Sequence, residues 1–237
     1  MKSRLGLAVI LLFLCTNMYA QLGFKIGPQV SFITSRSYVI DSLPNNYNFR
    51  FKSGVKLGLT AQYGFTQKFV LASGISFTNK GYRVFNDTNN TGNLIKNNLS
   101  HIEVPINMIF KLRVGSSAKM RFLIGGALNY QLNNKEVIEL NNGSDNFIIR
   151  ETSENKIYPM GSVGIEIASE SKSGNIFVFG AYYNQSFSNQ AKLNIFNANT
   201  SSNEKVFSLG YRGSYIGLGL TYLFDLKNFK KEEVFFY

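Results

Sequence analysis

The chain has 237 residues and a formal net charge of +11, and 44% of its residues are hydrophobic. This length suits a single domain, and the single cysteine excludes an internal disulfide and a metal site with several thiolate ligands. A positive balance can indicate nucleic-acid binding, but the sequence has no basic helix and no aromatic RNA-binding signature, which argues against that class of partner.

Residues 1–20 have the pattern of a secretory signal peptide. A short basic start is followed by the apolar run Leu5–Cys15, which is too short to cross a bilayer as a helix. Thr16–Ala20 then supplies a cleavage region, so we expect the processed chain to begin at Gln21. A lipid anchor on Cys15 is the alternative, but the preceding residues 12–14 lack the small side chains that such a site requires.

Beyond Gln21, apolar and polar residues alternate with a period of two over eight segments, which predicts eight β-strands. The predicted strands are Leu22–Ile33, Phe51–Phe65, Lys68–Gly81, Leu99–Leu112, Lys119–Leu132, Lys156–Ala168, Ile176–Phe187 and Ser208–Phe224. Their connections alternate between long and short, and the long ones are polar and rich in asparagine. A closed antiparallel barrel with both chain ends on one side of a membrane has this pattern of connections.

The two faces of these strands favour a barrel in lipid over a soluble β-sandwich, which also alternates. The face opposite the apolar one carries Gly, Thr, Ser, Asn, Gln and charged residues, which suits a narrow lumen that side chains fill at eight strands. Tyr and Phe near both strand ends suit the two membrane interfaces. We therefore predict an all-β fold, an eight-stranded antiparallel up-and-down transmembrane β-barrel, over residues 21–224. Residues 225–237 are predicted to form a periplasmic C-terminal tail, and the protein is expected in the cell outer membrane.

The last two long connections contain strand patterns of their own. Lys135–Leu140 and Asn146–Arg150 flank a turn-rich stretch, and Lys192–Phe196 and Glu204–Phe207 flank another. Both are hairpin patterns. We expect these hairpins to rise out of the membrane and to carry whatever recognition the protein performs.

Two segments resemble a known family. Ile102–Leu112 (IEVPINMIFKL) resembles the LEIPLLLKY strand of PorT-like outer-membrane barrels, which are common in Bacteroidota, and Gly74–Gly81 (GISFTNKG) resembles that family's GLLYSQKG strand. The resemblance covers roughly residues 21–224 and implies an eight-stranded outer-membrane barrel. One founding member is tied to protein secretion across that membrane, but the motifs identify a type of barrel and no reaction. Asn107 and Met108 stand where the family usually has aliphatic residues.

Eight charged residues fall on the face that is predicted to line the lumen. They are Glu103, Glu166, Lys25, Lys52, Lys56, Lys80, Lys111 and Arg121. Because a buried carboxylate is costly unless it is paired, we interpret the set as a structural salt-bridge network that fills the lumen. An ion path or a gate is the alternative.

The sequence offers one candidate for catalysis. Barrels that deacylate lipid A use a His, a Ser and a Glu, and Ser100, His101 and Glu103 are the only such group here. On one strand His101 and Glu103 share a face while Ser100 points to the other, so a nucleophile would have to come from elsewhere. One histidine and scattered carboxylates also make no convincing transition-metal site. We expect no catalytic residues, no metal, no cofactor and no enzymatic activity.

These observations predict a monomeric barrel with a structural or interaction role, and the resemblance suggests accessory work in protein secretion or surface assembly. A surface binding protein or adhesin that uses its hairpin loops is the main alternative, and a lipid A-modifying enzyme is a distant third. The expected partners are outer-membrane lipid including lipopolysaccharide, the barrel assembly machinery and a protein at the extracellular loops. We assign the excess of lysine to the barrel rims, with acidic lipid phosphates as the other candidate counter-charge.

Overall fold

A computed structural model describes residues 23–35, 38–39, 47–86, 93–114, 118–132, 137–142, 145–153, 156–197 and 205–226. The predicted signal peptide at residues 1–20 and residues 227–237 of the predicted tail lie outside the described residues. Eight strands form a barrel: β1 (Phe24–Ser35), β4 (Lys52–Gly64), β5 (Phe69–Asn86), β6 (Asn93–Val114), β7 (Ala118–Gln131), β10 (Ile157–Glu170), β11 (Ile176–Ser186) and β14 (Tyr215–Asp225). The shorter strands are β2 (Tyr38–Val39), β3 (Tyr47–Arg50), β8 (Val137–Asn142), β9 (Asp145–Ser153), β12 (Ala191–Asn197) and β13 (Lys205–Tyr211).

The eight long strands close into an antiparallel ring, which confirms the predicted fold. Neighbours run in the order β4-β1-β14-β11-β10-β7-β6, and pairing between β5 and both β4 and β6 completes the circle. The seam joins the first and last strands, where Val30 lies opposite Leu220. Short turns and both ends of the described chain lie at one end, which we call the lower end; the long connections lie at the upper end. No helix among the described residues is long and apolar enough to cross a membrane.

The outside of the barrel wall is apolar. Most of the side chains predicted for the apolar face are exposed along the barrel strands, and β14 alternates without a break from Tyr215 to Phe224. Typical members of this outer surface are Leu59, Ile75, Ile106, Ile124, Val163, Phe179 and Leu218. A continuous apolar belt of this kind is the surface that a bilayer would cover.

Five of the shorter strands form a second sheet above the barrel, in the order β2-β13-β12-β9-β8. We call it the cap sheet. Each of its strands is the neighbour of a wall strand along the chain, and the wall strands β1-β14-β11-β10-β7 stand in the same order. The two predicted hairpins correspond to β8–β9 and β12–β13, and pairing between β9 and β12 joins them into one sheet. The cap sheet is therefore an upward extension of one half of the barrel wall.

The polarity of the two faces is reversed in the cap sheet. Alternate residues on its inner face are almost completely buried: Ala191, Leu193, Ile195, Phe207, Leu209 and Tyr211. The ring of Tyr211 packs on that of Tyr82, which faces inward from the upper part of β5, with 5.6 Å between centroids. Above the apolar belt the chain thus encloses a hydrophobic core, as a water-soluble sheet does.

The sequence pattern predicted that the eighth barrel strand begins at Ser208. In the structure this strand begins at Tyr215. Ser208 belongs to β13 in the cap sheet, and the two strands are separated by a bend at Gly213, whose φ is 73°. The sequence pattern did not reveal this boundary because the inward-facing residues are odd-numbered both before and after the bend. What changes is the apolar face, from the inner side at Leu209 to the outer side at Ile216.

An ion pair fastens the lower end of the seam. Lys25 and Asp225 are opposite each other on β1 and β14, and their Nζ and Oδ2 atoms are 2.6 Å apart. The Lys25 ammonium also donates to the carbonyl of Gly174, and the backbone N–H of Asp225 donates to the Asn175 side chain. The last strand therefore includes Asp225, one residue beyond the predicted boundary at Phe224.

Truncation tests this placement of the last strand. A chain ending at Leu226 is expected to insert and to keep the stability of the full chain, because β14 and its ion pair remain complete. A chain ending at Phe224 loses the Asp225 carboxylate, and its free energy of unfolding is expected to fall by about 1–2 kcal/mol, since the pair is partly exposed. Urea unfolding in detergent measures the difference. Failure of the Leu226 truncation to insert would place an assembly signal in residues 227–237.

Candidate functional site

The centre of the lumen is organised around a buried carboxylate. Glu103 points inward from β6 and forms an ion pair with Lys56 of β4, and both side chains are at most 6% exposed. The Tyr215 hydroxyl donates to the second carboxylate oxygen over 2.7 Å. Both oxygens of Glu103 therefore have partners, which a carboxylate needs when it leaves water.

A second ion pair crosses β7 and β10. Arg121 and Glu166 are opposite each other in the register, and the Arg121 Nε lies 3.0 Å from Glu166 Oε2. Another guanidinium nitrogen donates to Gln62 Oε1 over 3.0 Å. The planar fork of arginine thus ties strands on different sides of the barrel together.

Lys80 lies above Glu103 in an aromatic setting. Its Nζ donates to the carbonyl of Gly213 over 2.9 Å and lies 4.8 Å and 5.5 Å from the ring centroids of Tyr215 and Tyr158. The contacts combine a hydrogen bond with two cation–π interactions. Since all three side chains are fully buried, they close the upper lumen.

The remaining predicted lumen charges lie nearer the two ends. Lys25 pairs with Asp225 at the lower end, and Lys111 is half-buried opposite Arg121. Lys52 is buried at the upper end of β4. The predicted set is therefore spread along the whole barrel axis and does not converge on one site.

Several residues of this interior were not predicted from the sequence. Tyr158, Tyr182 and Tyr215 point inward, although tyrosine was interpreted there as an outer-surface anchor. Their parity places them on the polar face, and this signal could have identified them. The lower lumen also contains inward apolar clusters, so the lumen is less uniformly polar than predicted. These clusters are Val70, Ala72, Ile109 and Leu123, and Ala168, Ile176, Val178 and Leu223.

The structure does not assemble the Ser–His–Glu group. His101 is fully buried in the lumen, with its ring edge against Tyr158 at 5.7 Å between centroids. Ser100 precedes it on the opposite face of β6, while Glu103 is held by Lys56 and Tyr215. Among the described residues, no group of three or more His, Cys, Asp or Glu side chains is placed to hold a metal ion.

A small cavity with a mixed polar and apolar lining remains in the middle of the lumen. Its volume is about 50 Å³, and it is lined by residues that include Gln29, Lys56, Gln62, Glu103, Asn107 and Glu166. Such a volume holds roughly four water molecules. Pockets for small-molecule ligands usually measure about 300–1,000 Å³, so this cavity suits water and not an organic substrate.

The family of the chain follows from comparison with known proteins. The model of the outer membrane protein beta-barrel domain matches residues 16–192. The chain belongs to this family. The protein is an outer-membrane β-barrel. No curated protein sequence matches the chain.

Solved structures share the fold at low sequence identity. The outer membrane protein OprG from Pseudomonas aeruginosa is 12% identical, with a TM-score of 0.55 over 86% of this chain and 96% of that one. Neisserial surface protein A is 11% identical, with a TM-score of 0.39 over 84% and 96% of the two chains. The attachment invasion locus protein Ail of Yersinia pestis is 12% identical, with a TM-score of 0.38 over 85% and 99%. The similarity to OprG supports the barrel architecture alone.

Proposed function

We propose that this barrel is a closed, non-catalytic support that holds the cap sheet at the cell surface for a protein partner. The observation that carries the proposal is the cap sheet itself, in which five strands from three connections form one sheet with a buried inner face. Ordering so many loop residues has an entropic cost. A barrel that served only as a membrane anchor would not need an ordered sheet above the barrel.

The filled lumen supports a role without transport. The Lys56–Glu103 and Arg121–Glu166 pairs occupy its middle, and buried aromatic residues occupy its upper part. The burial of His101 away from Ser100 supports a role without catalysis. A lipid A-modifying activity has no comparable support from the described residues.

The edge of the cap sheet offers a means of recognition. Among the described strands, β8 pairs only with β9, so its other edge presents backbone N–H and C=O groups. A partner strand can add to such an edge. The resemblance to PorT-like barrels favours a partner from the secretion or surface-assembly apparatus of the same cell, with the chain as a monomer delivered by the barrel assembly machinery.

Site-specific photocrosslinking tests this proposal. A photoreactive residue at Glu139 or Asn141 of β8 is expected to give one recurrent protein adduct in living cells, since edge pairing brings the partner backbone within contact distance. The same probe at Lys172, in a lower turn, is the control and should not give that adduct. Mass spectrometry identifies the captured protein.

Two outcomes contradict the proposal. One is an adduct that forms equally from Lys172, and the other is the absence of any adduct from β8. An adduct that forms only when foreign cells or matrix are added would instead support the adhesin alternative.

A further inference from the structure

The strands above the barrel form two separate sheets. One is the cap sheet, and the other consists of β3 and the upper parts of β5 and β6, in which Tyr47–Arg50 pairs with Arg83–Asn86 and Arg83–Phe85 pairs with residues 93–96. We call this group the second upper sheet. Among the described residues, no pairing joins it to the cap sheet. The ring that is closed in the barrel wall is therefore open above it.

The two upper sheets separate between β8 and residues 93–96 of β6, at a boundary that we call the split. Below the split, β6 and β7 are paired as far as His101 and Gln131, and the N–H of Leu132 donates to the carbonyl of Ser100. Above this point, no pairing between described strands joins β8 to β6.

A change of parity accounts for the separation. The inner positions of β7 are odd-numbered, as the buried Asn129 and Gln131 show. Those of β8 are even-numbered, because Ile138 lies opposite Ile149, which lies opposite the buried Ile195. β8 is therefore offset by one residue from the line of β7, and an offset of this kind bends a strand and interrupts its pairing.

The second boundary between the two upper sheets is crossed by the chain itself. β2 ends at Val39 and β3 begins at Tyr47, so residues 40–46 lead from one sheet to the other. Along the chain, β6 leads to β7 and β7 leads to β8, so no connection of this kind crosses the split. The split is therefore the boundary that a partner can occupy.

The directions of the two strands at the split decide how many strands fit. β6 runs down to the short turn before β7, and β8 runs upward, so their edges are antiparallel. A single added strand would be parallel to one of them, whereas two strands joined by a turn would be antiparallel to both and to each other. Every pair of neighbouring described strands in this protein is antiparallel. Since a parallel pair is slightly less stable, a β-hairpin fits better than one strand.

Apolar residues occupy the inner-face rows that reach the split. Ile138 ends a row that continues through Ile149 to the fully buried Ile195 and Phe207. On β6, the fully buried Leu99 lies on the inner face. A hairpin that completes this face needs apolar residues at alternate positions, as in other sheets with one buried face. β8 has 6 residues, which sets the length of the strand that pairs with it.

We propose that the split binds a β-hairpin of the protein partner, with one strand paired to β8 and the other to residues 93–96 of β6. The inference rests on the proposed function and deepens it, because it specifies that the partner supplies two strands with alternating apolar residues. Bound in this way, the hairpin covers both edges, which would otherwise be open to non-specific pairing. Two strands between β8 and β6 place these strands three spacings apart, which is about 14 Å.

Photocrosslinking from both sides of the split tests this geometry in living cells. A photoreactive residue is placed at Glu139 of β8 or at Lys96 of β6, and Asn48 of β3, at the other boundary, is the matched control. We expect Glu139 and Lys96 to capture the same protein. Mass spectrometry should map the two adducts to two segments that are joined by a turn of about two to five residues. The probe at Asn48 should not give this adduct.

The outcomes separate this inference from the proposed function. Capture from Glu139 without capture from Lys96 would overturn the hairpin and leave recognition by the β8 edge alone. Adducts of both probes with one and the same segment would mean a single strand, and equal capture from Asn48 would mean contact outside the split; either result overturns the inference. If neither Glu139 nor Lys96 gives an adduct, the inference and the proposed function both fail.

A cysteine pair tests, without any partner, whether the split is open. Lys96 and Val137 would lie within one residue of opposite each other if the pairing of β6 with β7 continued upward. At a strand separation of about 14 Å they cannot form a disulfide, which needs Cα atoms within about 7 Å of each other. In the purified processed chain, K96C/V137C is expected to stay reduced under mild oxidation that closes N79C/S100C, a pair directly opposite on β5 and β6. Equal oxidation of the two variants would show that the chain closes the split itself and would overturn the inference.

Discussion

Replacing Glu103 by leucine is expected to lower the free energy of unfolding by about 3–5 kcal/mol. The change removes the carboxylate partner of Lys56 and the acceptor of the Tyr215 hydroxyl, and both groups are buried. Lys80 lies just above Glu103, so its ammonium would then be near the unpaired ammonium of Lys56. Urea unfolding in detergent, followed by the shift in gel mobility between folded and heated protein, measures the loss.

The double variant K56M/E103L separates charge from packing. Replacing a buried ion pair by apolar residues of similar size is often nearly neutral, so most of the lost stability should return. Glu170→Gln is the matched control at the lower rim, where the pair with Lys119 is about one-third exposed; it should change stability by less than about 1 kcal/mol. Equal unfolding midpoints for wild type and E103L would mean that water already solvates Glu103.

Much of the fold could be predicted because lipid imposes one rule on every wall strand. The outer face must be apolar at alternate residues. This rule predicts where strands such as β10 and β14 lie in the sequence and which of their residues point outward. The same rule fails above the membrane, where water is the solvent and the apolar face turns inward. The boundary between β13 and β14 was missed for this reason, although the shift of apolar parity from Leu209 to Ile216 was present in the sequence.

The pairing inside the lumen could not be predicted from the same pattern. Parity places Glu166 and Arg121 on the inner face, but β7 and β10 are joined by a long connection, so the sequence does not fix their register. The register sets which charge meets which across the barrel. Likewise, nothing in the alternation of β4, β5 and β6 indicates that Thr78 lies opposite both Lys56 and His101. The face on which a residue lies depends on its own strand alone. The register depends on the relative shift of two strands that are far apart in the sequence.

The upper lumen is expected to exclude even small reagents from the outside. Thr78 is fully buried there, opposite Lys56 on one side and His101 on the other, beneath the contact between Tyr82 and Tyr211. The only cysteine of the chain, Cys15, lies in the predicted signal peptide, so a single introduced thiol can be followed in the processed protein. A thiol in Thr78→Cys should react with a membrane-impermeant maleimide about 100-fold more slowly than an exposed one, because reaction requires an opening that costs about 2.7 kcal/mol.

Ser53→Cys provides the exposed reference, since Ser53 lies near the upper end of β4 and is exposed. The double variant T78C/Y158A removes the ring that Lys80 and His101 both contact, and its thiol should react faster than that of T78C alone.

The same closure predicts that the wild type gives no large, stable currents in planar bilayers. Labelling of T78C as fast as that of S53C, or steady single-channel currents from the wild type, would contradict a sealed lumen. Either result would restore the ion path as the better interpretation of the buried charges, because the Lys56–Glu103 and Arg121–Glu166 pairs would then line an open aqueous passage.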